Sequence, residues 1–341
     1  MKCNLVSIDL AKNIFQVCTF NNERKIIFNK KVKRSTLIYE LSKIEPTRVV
    51  MEACYSSNPW GRRIEKLGHK VFLVPAFMVK PFVVGNKNDH NDSIAIGEAF
   101  FRPRIRFVQV KTVEQQDIQS LEKIKTLLNK QKTATSNQLR GLLAEYGLVC
   151  PKTIPVLIKT IPDFLEDAEN ELSCVGRSFI YRLYTHLNDL IVQVKKITLE
   201  LNNLVKTKED YRRLLTIPGV GPTIAASLMG SVSDPNCFKN GRQFAAWIGL
   251  TPSQHSSGDI NRMGKITKRG NSTLRRLLIH GARTVLNWCE KKEDTLSCWL
   301  KKLKQRMHNN KAVVAFANKL ARIIWSLMSK KENFNINMAC A

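Results

Sequence analysis

Short apolar runs rich in β-forming residues dominate the first third of the chain and predict β-strands. The predicted strands cover residues 5–9, 14–20, 25–32, 48–52 and 71–74. The first three follow one another directly, whereas helical patterns separate the later ones. These predicted helices cover residues 35–41, with Ser35 as N-cap, then 60–67 and 91–101. The predicted order is therefore three strands, then helix, strand, helix, strand and helix.

Helical periodicity replaces these short runs in the middle of the chain. Apolar residues at helical spacing begin at Ile118, and between Leu187 and Leu204 they alternate three and four residues apart over nearly three heptads. The pattern favours an antiparallel coiled-coil arm used in self-association. The alternative is that both helices pack on the core of a domain.

Apolar helical segments also dominate the last third, where Ile217-Pro218-Gly219-Val220-Gly221-Pro222 separates two of them. Two glycines between helices resemble the hairpin of helix-hairpin-helix DNA-binding modules. In those modules the backbone amides and the N-terminus of the next helix face a phosphate. This interpretation assigns Gly219 and Gly221 to nucleic-acid binding, and the alternative is a plain connection inside a helical core.

The charge balance points to a polyanionic partner. The 341 residues include 55 Lys and Arg against 28 Asp and Glu, a formal net charge of +27. Nucleic acid fits this excess best, and an acidic membrane surface comes second. Residues 1–108 and 208–341 have a large excess of cations, whereas residues 109–207 are nearly balanced. We therefore predict three domains, 1–108, 109–207 and 208–330, followed by a flexible tail at 331–341.

Cysteine spacing and hydropathy exclude several classes of protein. The nine cysteines form no CxxC pair, which argues against a zinc ribbon and against a disulfide framework. No apolar run is long enough to span a membrane, and Asp9 interrupts the first apolar stretch, so no signal peptide is predicted. We expect a cytoplasmic protein with no membrane partner.

Four acidic residues lie at the ends of predicted elements in this basic chain. Asp9 ends the first strand, Glu52 ends the fourth, and Asp89 and Asp92 begin the last helix. Taken alone, the last two are better explained as helix caps. The order of elements, however, is similar to the ribonuclease-H-like fold, including its RuvC-type branch, in which all four would meet at one sheet edge. Carboxylates there would suit Mg²⁺ and two-metal phosphoryl transfer.

Residues near these acids and near the C-terminus are candidates for phosphate contact. Lys12, three residues after Asp9, is either a phosphate contact or an ordinary exposed lysine. A second set of cations follows the polar loop His255-Ser256-Ser257-Gly258: Arg262, Lys265, Lys268, Arg269, Arg275 and Arg276. A serine in this setting suits phosphoryl transfer if a metal or a base activates it. By spacing alone, ordinary loop composition explains the serines, and the cations indicate only phosphate contact.

Together these motifs resemble the DEDD transposases of the insertion sequence 110 family, in its 1111 branch. The resemblance covers nearly the whole chain. Its segments are Ser7-Ile8-Asp9-Leu10-Ala11-Lys12, Met51-Glu52-Ala53, Lys87-Asn88-Asp89-His90-Asn91-Asp92, Ile217 to Pro222, Gly241 to Pro252, and His255 to Gly258.

The resemblance implies a fold, a chemistry and partners. The fold would be α/β plus α: a RuvC-like N-terminal domain, a helical arm and a mainly helical C-terminal transposase domain. Asp9, Glu52, Asp89 and Asp92 would bind magnesium, and Ser257 would attack DNA to form a phosphoserine link, with Ser256 as the alternative. A structured bridge RNA would pair with donor and target DNA, and dimers would meet in a tetramer whose active sites combine residues of two protomers.

Two other functions use the same residues differently. A RuvC-type nuclease or junction resolvase would activate water with the four carboxylates and leave Ser257 as a loop residue. A catalytically inactive protein would only bind nucleic acid, and four intact acids argue against it.

Overall fold

The protein is described here by a computed structural model that covers residues 3–86, 88–103, 105–150, 152–258 and 260–336. Lys87 of the acidic motif and residues 337–341 of the predicted tail lie outside the described residues. The chain divides into two units, Met1–Val113 and Glu114–Ala341. Each unit has its own hydrophobic core.

A five-stranded sheet organises the N-terminal unit. Its strands are β1 (Leu5–Asp9), β2 (Ile14–Phe20), β3 (Ile26–Lys33), β4 (Arg48–Glu52) and β5 (Lys70–Val74). Their spatial order is β3-β2-β1-β4-β5. β1 pairs antiparallel with β2 and parallel with β4, while β3 and β5 complete the edges. The five predicted strands are confirmed at nearly their predicted bounds.

Four helices accompany this sheet: α1 (Leu37–Ser42), α2 (Ser57–Glu65), α3 (Ala76–Val79) and α4 (Asp89–Phe100). The prediction that Ser35 caps α1 is wrong, because the N-cap is Thr36. The Thr36 hydroxyl donates to the carbonyl of Lys33 at 3.1 Å, so it completes the turn after β3 instead of capping the helix. The short helix α3 after Pro75 has no counterpart in the sequence prediction.

The central strands are buried on both faces, and alternation divides their residues between two cores. Val6 and Ile8 of β1 lie in a core with α1 and α2, which includes Trp60. Leu5 of β1 lies in the other core, where it packs with Ile96 of α4. Two covered faces explain why β1 is almost continuously apolar.

The C-terminal unit is mainly helical. Its helices are α5 (Val113–Glu145), α6 (Ile154–Glu166), α7 (Cys174–Val205), α8 (Glu209–Leu215), α9 (Pro222–Ser231), α10 (Gly241–Ile248), α11 (Ser272–Trp288), α12 (Thr295–Arg306) and α13 (Asn309–Lys330). Two antiparallel strands, β6 (Pro252–Ser257) and β7 (Ile260–Ile266), form a hairpin between α10 and α11. The predicted combination of a mixed α/β N-terminal region with a mainly helical C-terminal region is confirmed.

The two long helices α5 and α7 run antiparallel. Ile118 near the start of α5 shares a core with Leu201 near the end of α7. At the opposite ends, Leu139 of α5 and Leu187 of α7 belong to a second core, which α6 completes. We call α5, α6 and α7 the helical arm.

The other core of this unit surrounds α13. Among the described residues, α13 is the one helix long and apolar enough to cross a membrane by length and composition. Its apolar face, including Phe316, Leu320 and Ile324, is buried against the helices from α8 to α12. Packing in this core therefore explains its composition.

Candidate active site

The first two predicted acids lie side by side at one edge of the sheet. β1 and β4 are parallel neighbours, with Ile8 opposite Met51, and Asp9 and Glu52 are the next residues along. Side chains alternate along a strand, so Asp9 lies on the same face as Leu5 and Ser7. Leu5 and Val50 belong to the core that contains α4. Asp9 and Glu52 therefore share the sheet face that α4 covers.

The course of α4 brings the other two acids to this edge. The Ser7 hydroxyl donates to the carbonyl of Ser93 at 2.6 Å. Further along α4, Gly97 packs directly on the ring of Phe20, whose strand partner is Leu5 at the far end of β1. The N-terminus of α4 thus points toward the C-terminal ends of β1 and β4. Asp89 and Asp92, in its first turn, lie at the edge that carries the other acids.

Asn88 is the N-cap of α4, a role for which Asp89 and Asp92 were the candidates. Its side-chain oxygen accepts a hydrogen bond from the backbone N–H of Asn91 at 2.8 Å. Asp89 is exposed and Asp92 is half-buried. Within the described chain, neither carboxylate has a hydrogen-bond or ion-pair partner. Both are therefore open to a ligand from solvent.

The donor chemistry of this edge fits magnesium, since all four side chains offer carboxylate oxygens. The side chains themselves are not gathered around one point. Among the described residues, no three His, Cys, Asp or Glu side chains are close enough to hold a metal ion together. Asp9 and Glu52 are half-buried, and each already interacts with another group. The backbone brings the acids to one edge and face, and side-chain torsions must change before they can share an ion.

A polar network supports the first turn of α4 and was not predicted from the sequence. Gln16, opposite Asp9 on β2, donates to the side-chain oxygen of Asn29 on β3 at 2.6 Å. Asn29 donates in turn to the carbonyl of His90 at 3.1 Å, and the hydroxyl of Ser93 lies 3.2 Å from its side-chain oxygen. The network ties the acidic helix turn to the sheet. A buried Gln in an otherwise apolar strand was the signal that could have revealed it.

Lys12 lies in the turn between β1 and β2, and its side chain is exposed. Its backbone carbonyl accepts a hydrogen bond from the Arg34 guanidinium at 3.2 Å. The turn is therefore held in place while the ammonium group remains in solvent.

The candidate serines lie at the tip of the exposed β6–β7 hairpin. Ser256 is opposite Asn261 and Ser257 is opposite Ile260. Gly258 follows with a φ of +57°, a conformation that glycine adopts without the steric cost of a side chain. Nearly every residue of both strands is exposed to solvent. The hairpin is therefore available to a large ligand.

The two serines differ in their hydrogen bonding. The Ser256 hydroxyl donates to the side-chain oxygen of Asn261 at 2.9 Å and accepts from the amide of Gln254 at 3.0 Å. Ser257 points to the opposite face by strand alternation. In the part of the chain that the structure describes, its hydroxyl has no hydrogen-bond partner. Ser256 is held within the hairpin, whereas Ser257 is free to meet a substrate.

Two further side chains share the face of Ser257. His255 and Arg262 are directly opposite each other, two residues from the Ser257–Ile260 pair. Alternation places both on the Ser257 face, beside the serine. An imidazole and a guanidinium next to a free hydroxyl suit proton transfer and phosphate binding. His255 was part of the sequence motif, but only the strand register relates it to the serine.

The base of the hairpin is closely packed. Gly249 ends α10 with a φ of +81°, and a Cβ there would collide with the carbonyl of Arg269. Arg275 donates to the carbonyl of Ile248 at 2.9 Å, so part of its guanidinium supports this junction. The other predicted cations are exposed: Arg262, Lys265, Lys268, Arg269 and Arg276. They form a basic surface on and beside the hairpin.

The two glycines of the predicted phosphate-binding hairpin are in different environments. Gly219 has a φ of +85°, and a Cβ on it would lie 2.9 Å from the carbonyl oxygen of Gly281 in α11. Its small size thus permits close contact with that helix. Gly221 is the exposed N-cap of α9, and the space around its missing Cβ is open. The open N-terminus of α9 is the part of this motif that solvent reaches.

Two family models match different parts of the chain. Residues 6–148 match a DEDD-type model of IS110 transposases, described as Transposase. Residues 211–296 match the Transposase IS116/IS110/IS902 family. The first match includes all four acids. The second includes residues 217–222, here called the glycine hairpin, and the β6–β7 hairpin with Ser257, here called the serine hairpin. These matches define an enzyme of the DNA transposase class.

Relatives match nearly the full length of the chain. The transposase for insertion sequence element IS1111A of Coxiella burnetii is 42% identical over 97% of this chain and 91% of its own length. A probable family 20 transposase of Pseudomonas aeruginosa is 38% identical over 97% of this chain and 98% of its own. The transposase for IS1328 of Yersinia enterocolitica is 34% identical, with the same coverage. This chain belongs to the IS110 family of insertion-sequence transposases, and the predicted family is confirmed.

Proposed function

We propose that this transposase cuts and rejoins DNA through a covalent phosphoserine link at Ser257, with Mg²⁺ bound by Asp9, Glu52, Asp89 and Asp92. The observation that carries the proposal is the convergence of these four acids on one sheet edge and face. The free hydroxyl of Ser257 supplies the second part of the chemistry.

The N-terminal unit is a ribonuclease-H-like domain of the RuvC type in this proposal. The sheet order β3-β2-β1-β4-β5, with two antiparallel and two parallel pairings, supports it. The proposed functional segments are the catalytic domain at 1–108, the helical arm region at 109–207 and the transposase domain at 208–330. A tail at 331–341 completes the chain.

The four carboxylates would hold Mg²⁺, which would stabilise negative charge on the transferring phosphate. The protein contributes the arrangement that makes this binding possible. Asp9 and Glu52 are fixed by paired strands, and Asp89 and Asp92 by the first turn of a helix that Asn88 caps. The surrounding cations bind the phosphate backbone and offset the repulsion between carboxylates and DNA.

Ser257 exchanges one phosphate ester for another. Its Oγ would attack the phosphorus of a DNA strand, forming a serine–phosphate bond as the bond to the leaving strand oxygen breaks. His255 would accept the serine proton, and the leaving oxygen would take up a proton to become a hydroxyl. In rejoining, a hydroxyl of another strand attacks the phosphoserine and releases Ser257. No water is consumed, so the ester bond is conserved through both steps.

Site choice by a bridge RNA and assembly into dimers and a tetramer complete the proposed function. The family resemblance suggests both, and a net charge of +27 is compatible with simultaneous binding of DNA and RNA. The helical arm would contribute to assembly. Several apolar side chains remain exposed on α5 and α7, including Leu127, Val192 and Leu199. Such side chains are suited to contact with a second copy.

A strand-exchange assay on a plasmid carrying the two ends of the element tests the serine assignment. Ser257→Ala should lower recombination by roughly a thousandfold or more, as the loss of a nucleophile does in other enzymes. Ser256→Ala is the matched control and should retain most of the activity, because that hydroxyl is bound to Asn261. Cleavage by the Ser257→Ala protein at the wild-type rate would favour the water-activating nuclease instead.

A further inference from the structure

A cleft of about 600 Å³ lies in the C-terminal unit, and no described residue of the β6–β7 hairpin lines it. Its wall on the helical arm is formed by α5, from Glu122 to Asn137. Leu201 of α7 closes one side. Thr223 of α9 and Thr273 of α11 line the rest, each near the N-terminus of its helix.

Three cations line the cleft: Lys125 and Lys130 of α5 and Arg276 of α11. Within the described residues, none of the three has an ion-pair partner within 4 Å. Burial lowers the pKa of Lys125, which means that its ammonium group has lost part of its hydration. Its acidic neighbour is Glu122, and burial biases that carboxyl toward the neutral form, so Lys125 remains suited to an anionic ligand.

The N-terminus of α9 adds to this positive potential, whereas that of α11 is already capped by Asn271. The N-terminus of α9 begins at Gly221 and has no side-chain cap, and the Cβ position of that glycine is open. Thr223 follows in the first turn and reaches the cleft. The partial positive charge of a helix N-terminus favours an anion, and its free N–H groups can bind oxygen. Three cations and the first turn of α9 therefore border one space.

One acidic side chain, Glu122, lines this otherwise basic cleft. Burial raises the pKa of its carboxyl to about 7, and Lys125 and Ser227 oppose the increase only in part. The hydroxyl of Ser227 is buried, and among the described residues it has no hydrogen-bond partner within 3.5 Å. A carboxyl in this state is a hydrogen-bond donor when it is protonated and repels an anion when it is not.

We infer that this cleft binds a phosphate group of a nucleic-acid backbone, with Lys125 and Arg276 as its cationic partners and protonated Glu122 as a hydrogen-bond donor. Binding then takes up a proton at Glu122. The helical arm and the glycine hairpin would hold the same strand. The inference rests on the proposed function only in requiring a nucleic-acid partner, and it is independent of Ser257.

The sign of the pH effect follows from linkage. The bound phosphate raises the pKa of Glu122 further, because the ionised carboxylate would repel it. Affinity is therefore highest below the pKa of the free protein and falls as the pH rises through it. With one linked proton, the fall between about pH 6 and about pH 8 is roughly tenfold. The other charged groups of the cleft are Lys125, Lys130 and Arg276.

Fluorescence anisotropy without magnesium, which prevents cleavage, measures this dependence. The probes are a short DNA duplex and an RNA hairpin with the same number of phosphates. Glu122→Gln keeps a donor and removes the titration, so its affinity should stay near the low-pH value of the wild type at every pH. Glu200→Gln, on the exposed surface of α7, removes the same charge outside the cleft and should retain the full pH dependence.

A second pair of variants tests the cations. Lys125→Ala should lower the salt dependence of binding by about one released counterion, whereas Lys196→Ala on α7 should change it less. Circular dichroism and thermal melting establish that each variant is folded. If these changes in pH and salt dependence appear with the DNA duplex alone, the ligand is DNA, and if they appear with the RNA hairpin alone, it is RNA. The inference is overturned if Glu122→Gln keeps the wild-type pH dependence with both probes, or if Lys125→Ala matches Lys196→Ala.

These outcomes differ from failure of the proposed function. If strand exchange survives in Ser257→Ala while the binding effects appear, only the phosphoserine mechanism is wrong. If the wild-type protein binds neither probe at any pH, both proposals are wrong.

Discussion

The acidic edge and the serine hairpin are built in opposite ways. The acids extend from the ends of buried strands and from a helix turn tied to the sheet through Asn29. The serine is at the tip of a hairpin whose strands are almost entirely exposed. A metal site needs ligands held from several sides. A nucleophile that attacks a DNA phosphate must instead be accessible to a large substrate. The contrast therefore fits a division of roles between acids whose backbone is anchored in the sheet and a serine at an exposed hairpin tip.

The strongest test of the acidic edge removes one charge with little change in shape. Asp9→Asn should abolish strand exchange, a loss of roughly a thousandfold or more, because the amide is a poor magnesium ligand. Nucleic-acid binding should remain close to wild type. Glu98→Gln, near the other end of α4, removes an equal charge and serves as control. Recombination at the wild-type rate in Asp9→Asn would disprove the metal assignment.

On the hairpin, His255→Ala should slow strand exchange by about a hundredfold, the usual loss when a general base is removed. The pH profile of strand exchange separates this role from a structural one, because only the loss of a proton-accepting group should change the shape of that profile. The control is Gln254→Ala on the opposite face, which should leave the profile unchanged. A pH profile for His255→Ala that matches the wild type would exclude the base role.

The network behind the acids should have a smaller effect. Asn29→Ala removes the contacts that hold the first turn of α4, and we expect an activity loss of roughly ten- to a hundredfold, as for residues that orient metal ligands. The loss should appear as a higher magnesium requirement and should be partly recovered at high magnesium. Asn29→Asp keeps the acceptor oxygen and should lose less. An unchanged magnesium titration in Asn29→Ala would show that the network does not position the acids.

Substitution of two glycines compares the packing at the base of the β6–β7 hairpin with the packing at its tip. Gly249→Ala places a Cβ against the Arg269 carbonyl at a φ of +81°, so we expect destabilisation of about 2 kcal/mol or more in thermal melting. Gly258→Ala also meets a positive φ, but the space around its Cβ is open. It should cost about 1 kcal/mol. Equal losses would indicate that the base is no more tightly packed than the tip.

The fold of the N-terminal unit was largely predictable, because short apolar runs rich in β-forming residues are a local property of the sequence. Because Asp9 and Glu52 end two of the predicted strands, their positions at the sheet edge could be predicted without knowledge of their side-chain contacts. The capping role was misplaced, since Asn88, Asp89 and Asp92 are all acceptable caps and only the backbone of α4 selects Asn88. Such competition between adjacent residues leaves no trace in the sequence pattern.

The C-terminal features that escaped prediction depend on contacts between distant residues. Ser256 and Ser257 are adjacent and chemically identical, and the hairpin register distinguishes them by pairing Ser256 with Asn261. Gly219 looked like a phosphate contact, yet its tight packing is with Gly281 of a helix much later in the chain. In both cases the sequence identified the candidate residue but could not identify the residue that it contacts.

The central claim is that Ser257 becomes covalently joined to DNA, and peptide mass spectrometry after a stalled reaction measures this directly. The protein is incubated with magnesium and a nicked end of its own element, the DNA is digested, and the peptide containing residues 252–258 is analysed. We predict a nucleotide attached to Ser257 in the wild type and none in Ser257→Ala. Efficient cleavage by the wild type with no adduct, or with the adduct on Ser256, would contradict the account.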